Sequence, residues 1–300
     1  MLADGRGSVR LGKADEPVPA PGEVVIEVAA YSVNRGETFL LERPPSGWRP
    51  GKDVAGRVVA AALDGSGPVV GAHVVGHPPA GGWAERVAVL TTSLVVLPEG
   101  VRSETAAALP LAGLTALRLL RRVGNLLGRR LLVTGASGGV GHYVTELAVA
   151  AGAEVVAVST TPERAARLRE FGAQTVTDVA SAEGRFDVVM ESVGGESFVA
   201  ARRKASSDGV MMWFGQASRQ PVTLDFFDWV DGTVQAPIVQ FDYTRGDRPY
   251  AADLATLVDL VARGRLHPEI GTVLPWEHTA RVIDDIRGRR LRGNAVLTLT

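Results

Sequence analysis

LLVTGASGGVGHYVTE, residues 131–146, sets a short apolar run against four glycines and then a helical repeat, and the rest of the chain is read outward from it. Leu131, Leu132 and Val133 have the unbroken apolarity of a strand buried on both faces. Ser137 and the glycines Gly135, Gly138, Gly139 and Gly141 follow. From Val140 onward, Val144, Leu147, Ala148 and Ala151 recur at the spacing of one helix face. Small residues in such a turn let the backbone close on a pyrophosphate, and the next helix offers it unpaired N–H groups and a positive dipole end. The same turn occurs in α/β proteins that bind other phosphates. Here a second buried strand over 153–159, AEVVAVS, completes a strand–helix–strand unit of the length a dinucleotide needs.

The end of that second strand bears on the cofactor. A site for NAD usually carries Asp or Glu about 20 residues past the glycines, to accept from the ribose 2′-OH. This chain has Ser159, Thr160 and Thr161 there, with Arg164 following. Hydroxyl donors and a guanidinium suit a 2′-phosphate that a carboxylate would repel, so the expectation is NADPH over NADH. Arg164 also fits an ordinary solvated helix face with Glu163, Arg167, Arg169 and Glu170.

Three hundred residues with 46% hydrophobic content suffice for two cores. A net charge of −1 gives no electrostatic case for nucleic acid, and the basic cluster at 202–204 reads as a solvated helix face. No apolar run has the length of a membrane span and the first residues show no signal-peptide core, so the expectation is a soluble, cytoplasmic protein. With no cysteine, disulfides, thiolate catalysis and cysteine-ligated metal centres are excluded. His73 and His77 lie close in sequence, but beside Gly76 and Pro78 they read as a surface turn, and no metal is expected.

Residues 1–102 are mostly β in pattern: β-branched runs at 23–29, 54–60, 69–75 and 84–89 are separated by turn residues. Ser103 and Glu104 open a helix with a Ser cap, which Pro110 interrupts before 113–122 continues it. Helices and strands then alternate to about 242, as in an open parallel sheet. Later come a helix at 250–263, another at 278–287 and a strand at 295–299, which has no place in the parallel sheet and is expected to return to the N-terminal unit. The expected division is 103–242 for the dinucleotide domain and 1–102 with 243–300 for the other.

The turn TGASGGVG also opens short-chain dehydrogenases, but those begin at it and use Tyr-x-x-x-Lys. Here 130 residues precede even the strand that leads into the turn, and positions four after Tyr31, Tyr143, Tyr243 and Tyr250 hold Arg35, Leu147, Asp247 and Leu254. The wider context resembles the medium-chain dehydrogenase/reductase superfamily, in its zinc-independent quinone oxidoreductase (zeta-crystallin-like) branch. The resemblance rests, in order, on PAPGEVVIEVAAYSVNRGE, PGKDVAGRVV, GGWAERV, AALPLAGLTAL, the glycine turn, EFGAQTV, FDVVMESVGG and RGNAVLTL. Zinc-dependent members carry Cys in the stretch matching 32–35 and His in a Gly-His-Glu motif; this chain has no Cys and reads Gly51-Lys52-Asp53.

The resemblance implies an α/β fold, with a Rossmann-type doubly wound parallel sheet domain and a mostly β, GroES-like barrel for the substrate. It implies hydride transfer from NADPH to a quinone or conjugated enone without a metal. The pyrophosphate would lie on Ser137, Gly138, Gly139, Val140 and Gly141, and the 2′-phosphate on Ser159, Thr160 and Arg164. Thr115 and Asn34 would sit near the nicotinamide, with Phe214, Gly215 and Gln216 at a strand end facing it and Val193 and Asn294 as further contacts. Asn34 and Tyr31 are the catalytic candidates, Tyr31 as a proton donor, although an aromatic in a strand also fits core packing. Trp48, Trp83 and Phe39 fit either a pocket wall or core. Other readings are an enoyl reductase or cyclising enzyme on a natural-product or acyl intermediate, and a non-catalytic dinucleotide-binding sensor or structural protein. Members of the branch usually form homodimers through a sheet edge, for which 235–241, QAPIVQF, is the candidate.

Overall fold

The computed structural model describes residues 1–299 except 231–233 and 247. It divides into Met1–Leu114 with Asp247–Thr300, and Thr115–Gly246.

The first unit begins with two short paired strands, β1 (Leu2–Ala3) and β2 (Val9–Arg10). Then come β3 (Glu23–Val33), α1 (Arg35–Leu40), β4 (Val54–Ala60), β5 (His73–Gly76), β6 (Arg86–Leu90), β7 (Leu94–Val96) and α2 (Ser103–Ala107). The long strand β3 pairs antiparallel with β4 and β6, and its residues are mostly buried on both faces, which its apolar run EVVIEVAAYSV permits. Trp83 and Tyr31, both fully buried, stack at 5.8 Å in the core with Ile26, Leu41, Val54 and Val89. Burial of each such side chain contributes roughly 1.5–3 kcal/mol. Ser103 is not a cap: Arg102 holds the N-cap of α2, and the Ser103 hydroxyl bonds His73 Nε2 at 2.8 Å.

Helix α3 (Pro110–Val123) starts on a proline, whose missing N–H costs nothing in a first turn. In the second unit follow β8 (Arg130–Val133), α4 (Gly139–Ala150), β9 (Glu154–Val158), α5 (Pro162–Glu170), β10 (Gln174–Val176), β11 (Phe186–Glu191), α6 (Gly195–Arg202), β12 (Ala205–Trp213), α7 (Phe227–Val230) and β13 (Ile238–Gln240). The strands stand in the order β10-β9-β8-β11-β12-β13, all parallel. That is the doubly wound dinucleotide-binding order, with its reversal between β8 and β11. Phe186, Leu132 and Met211, with Phe198 from α6, form its core.

One expectation fails here: Arg202, read as part of a solvated face, is fully buried. Its guanidinium lies 3.7 Å from the centroid of the Trp229 ring and pairs with Asp228 at 3.1 Å. A flat, weakly hydrated cation can be buried when an aromatic face and a carboxylate replace its water. Arg203 stays exposed.

The chain then returns to the first unit with α8 (Tyr250–Ala262), β14 (Ile270–Pro275), α9 (Thr279–Arg287) and β15 (Asn294–Thr298). The last strand does go back to the N-terminal unit, antiparallel to β3, with Leu297 opposite Tyr31. Among the described residues the resulting sheet runs β14-β15-β3-β4-β5-β7, with β6 also on β3, and this is the GroES-like part of the fold.

Candidate functional site

In the second unit, the sequence 134–141 becomes the turn between β8 and α4. Gly135 stands at φ 59°, and a side chain there would also meet Ser192 Oγ at 2.6 Å. Gly138 caps α4, and its N–H closes the turn onto Gly135 O at 2.9 Å. Gly141 brings the first helical turn against the loop backbone: a Cβ on it would lie 2.6 Å from Ala136 Cα and 2.8 Å from Ala136 C. The start of α4 thus presents backbone N–H groups that a helix leaves without internal acceptors, beside residues too small to cover them. Gly139 and Val140 occupy that first turn.

At the end of β9, Ser159 is buried and its Oγ has no hydrogen-bond partner. Thr160 is exposed, and Thr161 caps α5 by accepting from Arg164 N. Arg164 is half-buried rather than solvated, and its Nε donates to Ser137 Oγ at 3.3 Å. That bond ties the residues expected at the pyrophosphate to those expected at the 2′-phosphate, and no carboxylate ends β9.

The neighbouring strand ends are laced together. Glu191, buried at the end of β11, accepts from the N–H groups of Val193 and Gly194 at 2.7 Å each, and burial raises its pKa. Ser192 bonds Thr134 through its N–H and its hydroxyl. Phe214 N donates to Glu191 O, Ala217 N to Ser192 O and Ser218 N to Val193 O, so the loops after β11 and β12 run side by side. Val193, Phe214, Gly215 and Gln216 are therefore at the carboxyl edge of one parallel sheet, where ligands of such sheets bind. The Gln216 amide donates to Gln220 O, and Thr115 is buried in α3.

In the first unit, the other candidates fall in three places. Tyr31 is fully buried, its hydroxyl paired with Thr279 Oγ1 at 2.7 Å and its pKa raised by burial. A phenol held this way has no open path to a substrate, and packing accounts for it. Trp83 is likewise core, its Nε1 donating to Ser32 O; Phe39 and Trp48 are partly buried. Asn294 is buried at the start of β15, where its N–H and Nδ2 donate to Glu269 O.

Asn34 lies in a buried polar cluster. Its Nδ2 donates to Asp53 Oδ2 at 2.6 Å, and its backbone N–H donates to Glu37 Oε2 at 3.0 Å in the capping box of α1. Asp53, with no exposure, also accepts from Ser32 Oγ at 2.6 Å, from Leu111 N at 2.9 Å and from His77 Nδ1 at 3.2 Å. Glu37 Oε1 accepts from Gly51 N, and burial with the nearby Asp53 charge pushes the Glu37 pKa up to about 8. His77, expected on a surface turn, is buried: Nδ1 also donates to Lys52 O at 2.8 Å, and its ring meets Tyr250 edge-on at 4.9 Å. The β5–β7 pairing draws that turn inward.

Asp53, Ser32, Glu37 and His77 were missed as a group. The available signal was Asp53 itself, a lone acid opening the apolar run VAGRVV, because a carboxylate beside a buried strand needs several donors. Among the described residues, no group of three or more His, Cys, Asp or Glu is placed to hold a metal, and no helix is long and apolar enough to cross a membrane.

Residues 139–256 match the zinc-binding dehydrogenase family model. A chloroplast envelope quinone oxidoreductase homolog from Arabidopsis thaliana is 30% identical over 97% of this chain and 93% of its own length. A phthioceranic/hydroxyphthioceranic acid synthase of Mycobacterium tuberculosis is 34% identical over 215 residues; that match takes in 66% of this chain and spans 10% of the synthase. Among solved structures, a mycobacterial protein complexed with NADPH superposes with a TM-score of 0.89 at 25% identity, covering 99% of this chain and 98% of that one.

Proposed function

Because this chain belongs to the zinc-independent quinone oxidoreductase branch of the medium-chain dehydrogenase/reductase superfamily, we propose that it is an NADPH-dependent reductase of a quinone or conjugated enone. The observation that carries this reading is the trio Ser137, Ser159 and Arg164: a buried hydroxyl without a partner and a guanidinium, at a strand end without a carboxylate. An orphaned buried hydroxyl costs free energy until a ligand meets it, and a 2′-phosphate offers acceptors to both groups.

NADPH, when bound, supplies the hydride. Ser137, Gly138, Gly139, Val140 and Gly141 hold its pyrophosphate; Ser159, Thr160 and Arg164 hold the 2′-phosphate. Asn34, Thr115, Val193, Phe214, Gly215 and Gln216, with Asn294 more remotely, serve the nicotinamide end. Thr115–Gly246 is the cofactor unit on this reading, and the GroES-like unit carries the substrate residues. With Tyr31 sealed in the core, the proton that completes quinone reduction comes from solvent.

The second reading is reduction of an unsaturated acyl thioester, which the likeness to the mycobacterial acid synthase favours. The third is a cytoplasmic dinucleotide-binding sensor without turnover. Following NADPH oxidation with small quinones and with unsaturated thioesters in parallel separates the first two. Oxidation by neither, with tight NADPH binding, overturns both and leaves the sensor. For assembly we favour a homodimer: β13 ends the sheet order with no strand on its outer side among the described residues. A monomeric mass by sedimentation rules that out.

A further inference from the structure

The polar cluster around Asp53 fixes the chemistry that Asn34 can offer. An amide can face a ligand with its NH2 or with its oxygen, and its neighbours decide which. Asp53 Oδ2 lies 2.6 Å from Asn34 Nδ2, and Glu37 Oε2 and Ser32 Oγ lie on the same side at 3.4 and 3.3 Å. The Asp53 carboxylate accepts and cannot donate, so the nitrogen must stand there. Asp53 is itself held from three more directions, by Ser32, Leu111 and His77, and has no exposure. It is therefore a fixed anchor.

We propose that Asp53 is a positioning residue that locks the Asn34 amide with its nitrogen inward, so that Asn34 meets the bound ligand as a hydrogen-bond acceptor through Oδ1. An amide oxygen has two lone pairs, and the capping box of α1 engages no more than one of them. The partner is then an O–H or N–H donor. The carbonyl of an unreduced quinone or enone has neither, so Asn34 does not polarise the acceptor. Two sources of donor remain: the cofactor's ribose hydroxyls or carboxamide, and the hydroxyl that appears on the reduced acceptor. This inference rests on the reductase reading for its ligand, and on the cluster alone for the orientation.

The test compares the wild-type chain with Asp53→Asn and Asn34→Leu. Three quantities are read: the NADPH dissociation constant by nicotinamide fluorescence without acceptor, kcat and KM with a soluble benzoquinone, and the side-chain amide signals of Asn34 in proton–nitrogen spectra. In wild type the Asn34 Nδ2 protons should exchange slowly, and Asp53→Asn should shift them. Both variants should lose about tenfold in one and the same quantity, the weight of one net hydrogen bond. Loss of NADPH affinity assigns the donor to the cofactor; loss of kcat/KM at unchanged affinity assigns it to the reduced acceptor.

An Asp53→Asn protein that melts lower but keeps both constants within about twofold refutes the positioning role. So does an Asn34 amide that exchanges freely in wild type. If Asp53→Asn does not fold, Asn34→Leu, close in volume and lacking the amide, decides the ligand contact. A wild-type chain that neither binds NADPH nor reduces the quinone defeats the reductase reading and the ligand contact with it, while slow Asn34 exchange still decides the orientation.

Discussion

Gly141→Ala tests whether the turn at 134–141 is as tight as the structure draws it. The added methyl would meet Gly135 O and lie 2.6 Å from Ala136 Cα and 2.8 Å from Ala136 C. These are backbone atoms, so no side-chain rotation relieves the overlap. Overpacking of this kind costs roughly 1–3 kcal/mol, and rigid neighbours argue for the upper end. Against it stands the gain of about 1 kcal/mol from replacing glycine in a helix by alanine. The overlap wins by about 2 kcal/mol, which corresponds to a fall of roughly 4–8 °C in the melting of a unit of this size. The displaced turn should also weaken NADPH binding. The assay is thermal unfolding followed by circular dichroism, with NADPH titrated by fluorescence. Gly36→Ala is the control: that glycine is helical and nothing lies within 4 Å of its would-be Cβ, so only the favourable term applies. A Gly141→Ala protein as stable as Gly36→Ala, or one that binds NADPH as wild type does, would refute the close approach.

Three further outcomes follow from individual groups. Burial raises the Glu37 pKa from 4.5 to about 8, so the folded state keeps a proton that the unfolded state gives up earlier. The stability this contributes is full below pH 4.5 and falls as pH rises toward 8, and Glu37→Gln should flatten that slope in urea midpoints measured across the range. Loss of the α5 cap in Thr161→Ala should cost about 0.5–2 kcal/mol in denaturant unfolding. Asp228→Asn should destabilise more than Arg202→Met, because it leaves a buried guanidinium facing a neutral group, whereas methionine refills the space against Trp229. Equal melting temperatures for the two variants would contradict that ordering.

The parallel sheet, its glycine turn and the returning last strand were legible because each is written in contiguous residues. Hydrophobic runs such as LLV at 131–133 and AEVVAVS at 153–159 state their burial locally. The polar interior was not legible, because its partners are far apart in the chain. Asp53 gathers Ser32, His77 and Leu111 from positions 21, 24 and 58 residues away. Arg202 reads as surface until Trp229 and Asp228 are seen to cover it. Ser103 has the composition of a helix cap, yet its hydroxyl is spent on His73, and Arg102 takes the cap position. Local pattern reports which residues leave water; only the folded chain reports what replaces the water for those that are polar.

The central claim is that Ser159, Thr160 and Arg164, the last tied to Ser137, form a 2′-phosphate site, and the direct measurement is titration of NADPH and NADH into the wild-type chain and into Arg164→Ala. A charge-assisted hydrogen bond is worth about 1.5–3 kcal/mol, so NADPH should bind the wild type roughly 10- to 100-fold tighter than NADH, and Arg164→Ala should erase most of that preference without changing NADH affinity. Equal affinity for the two nucleotides in the wild type, or an Arg164→Ala protein that keeps the preference, would contradict it.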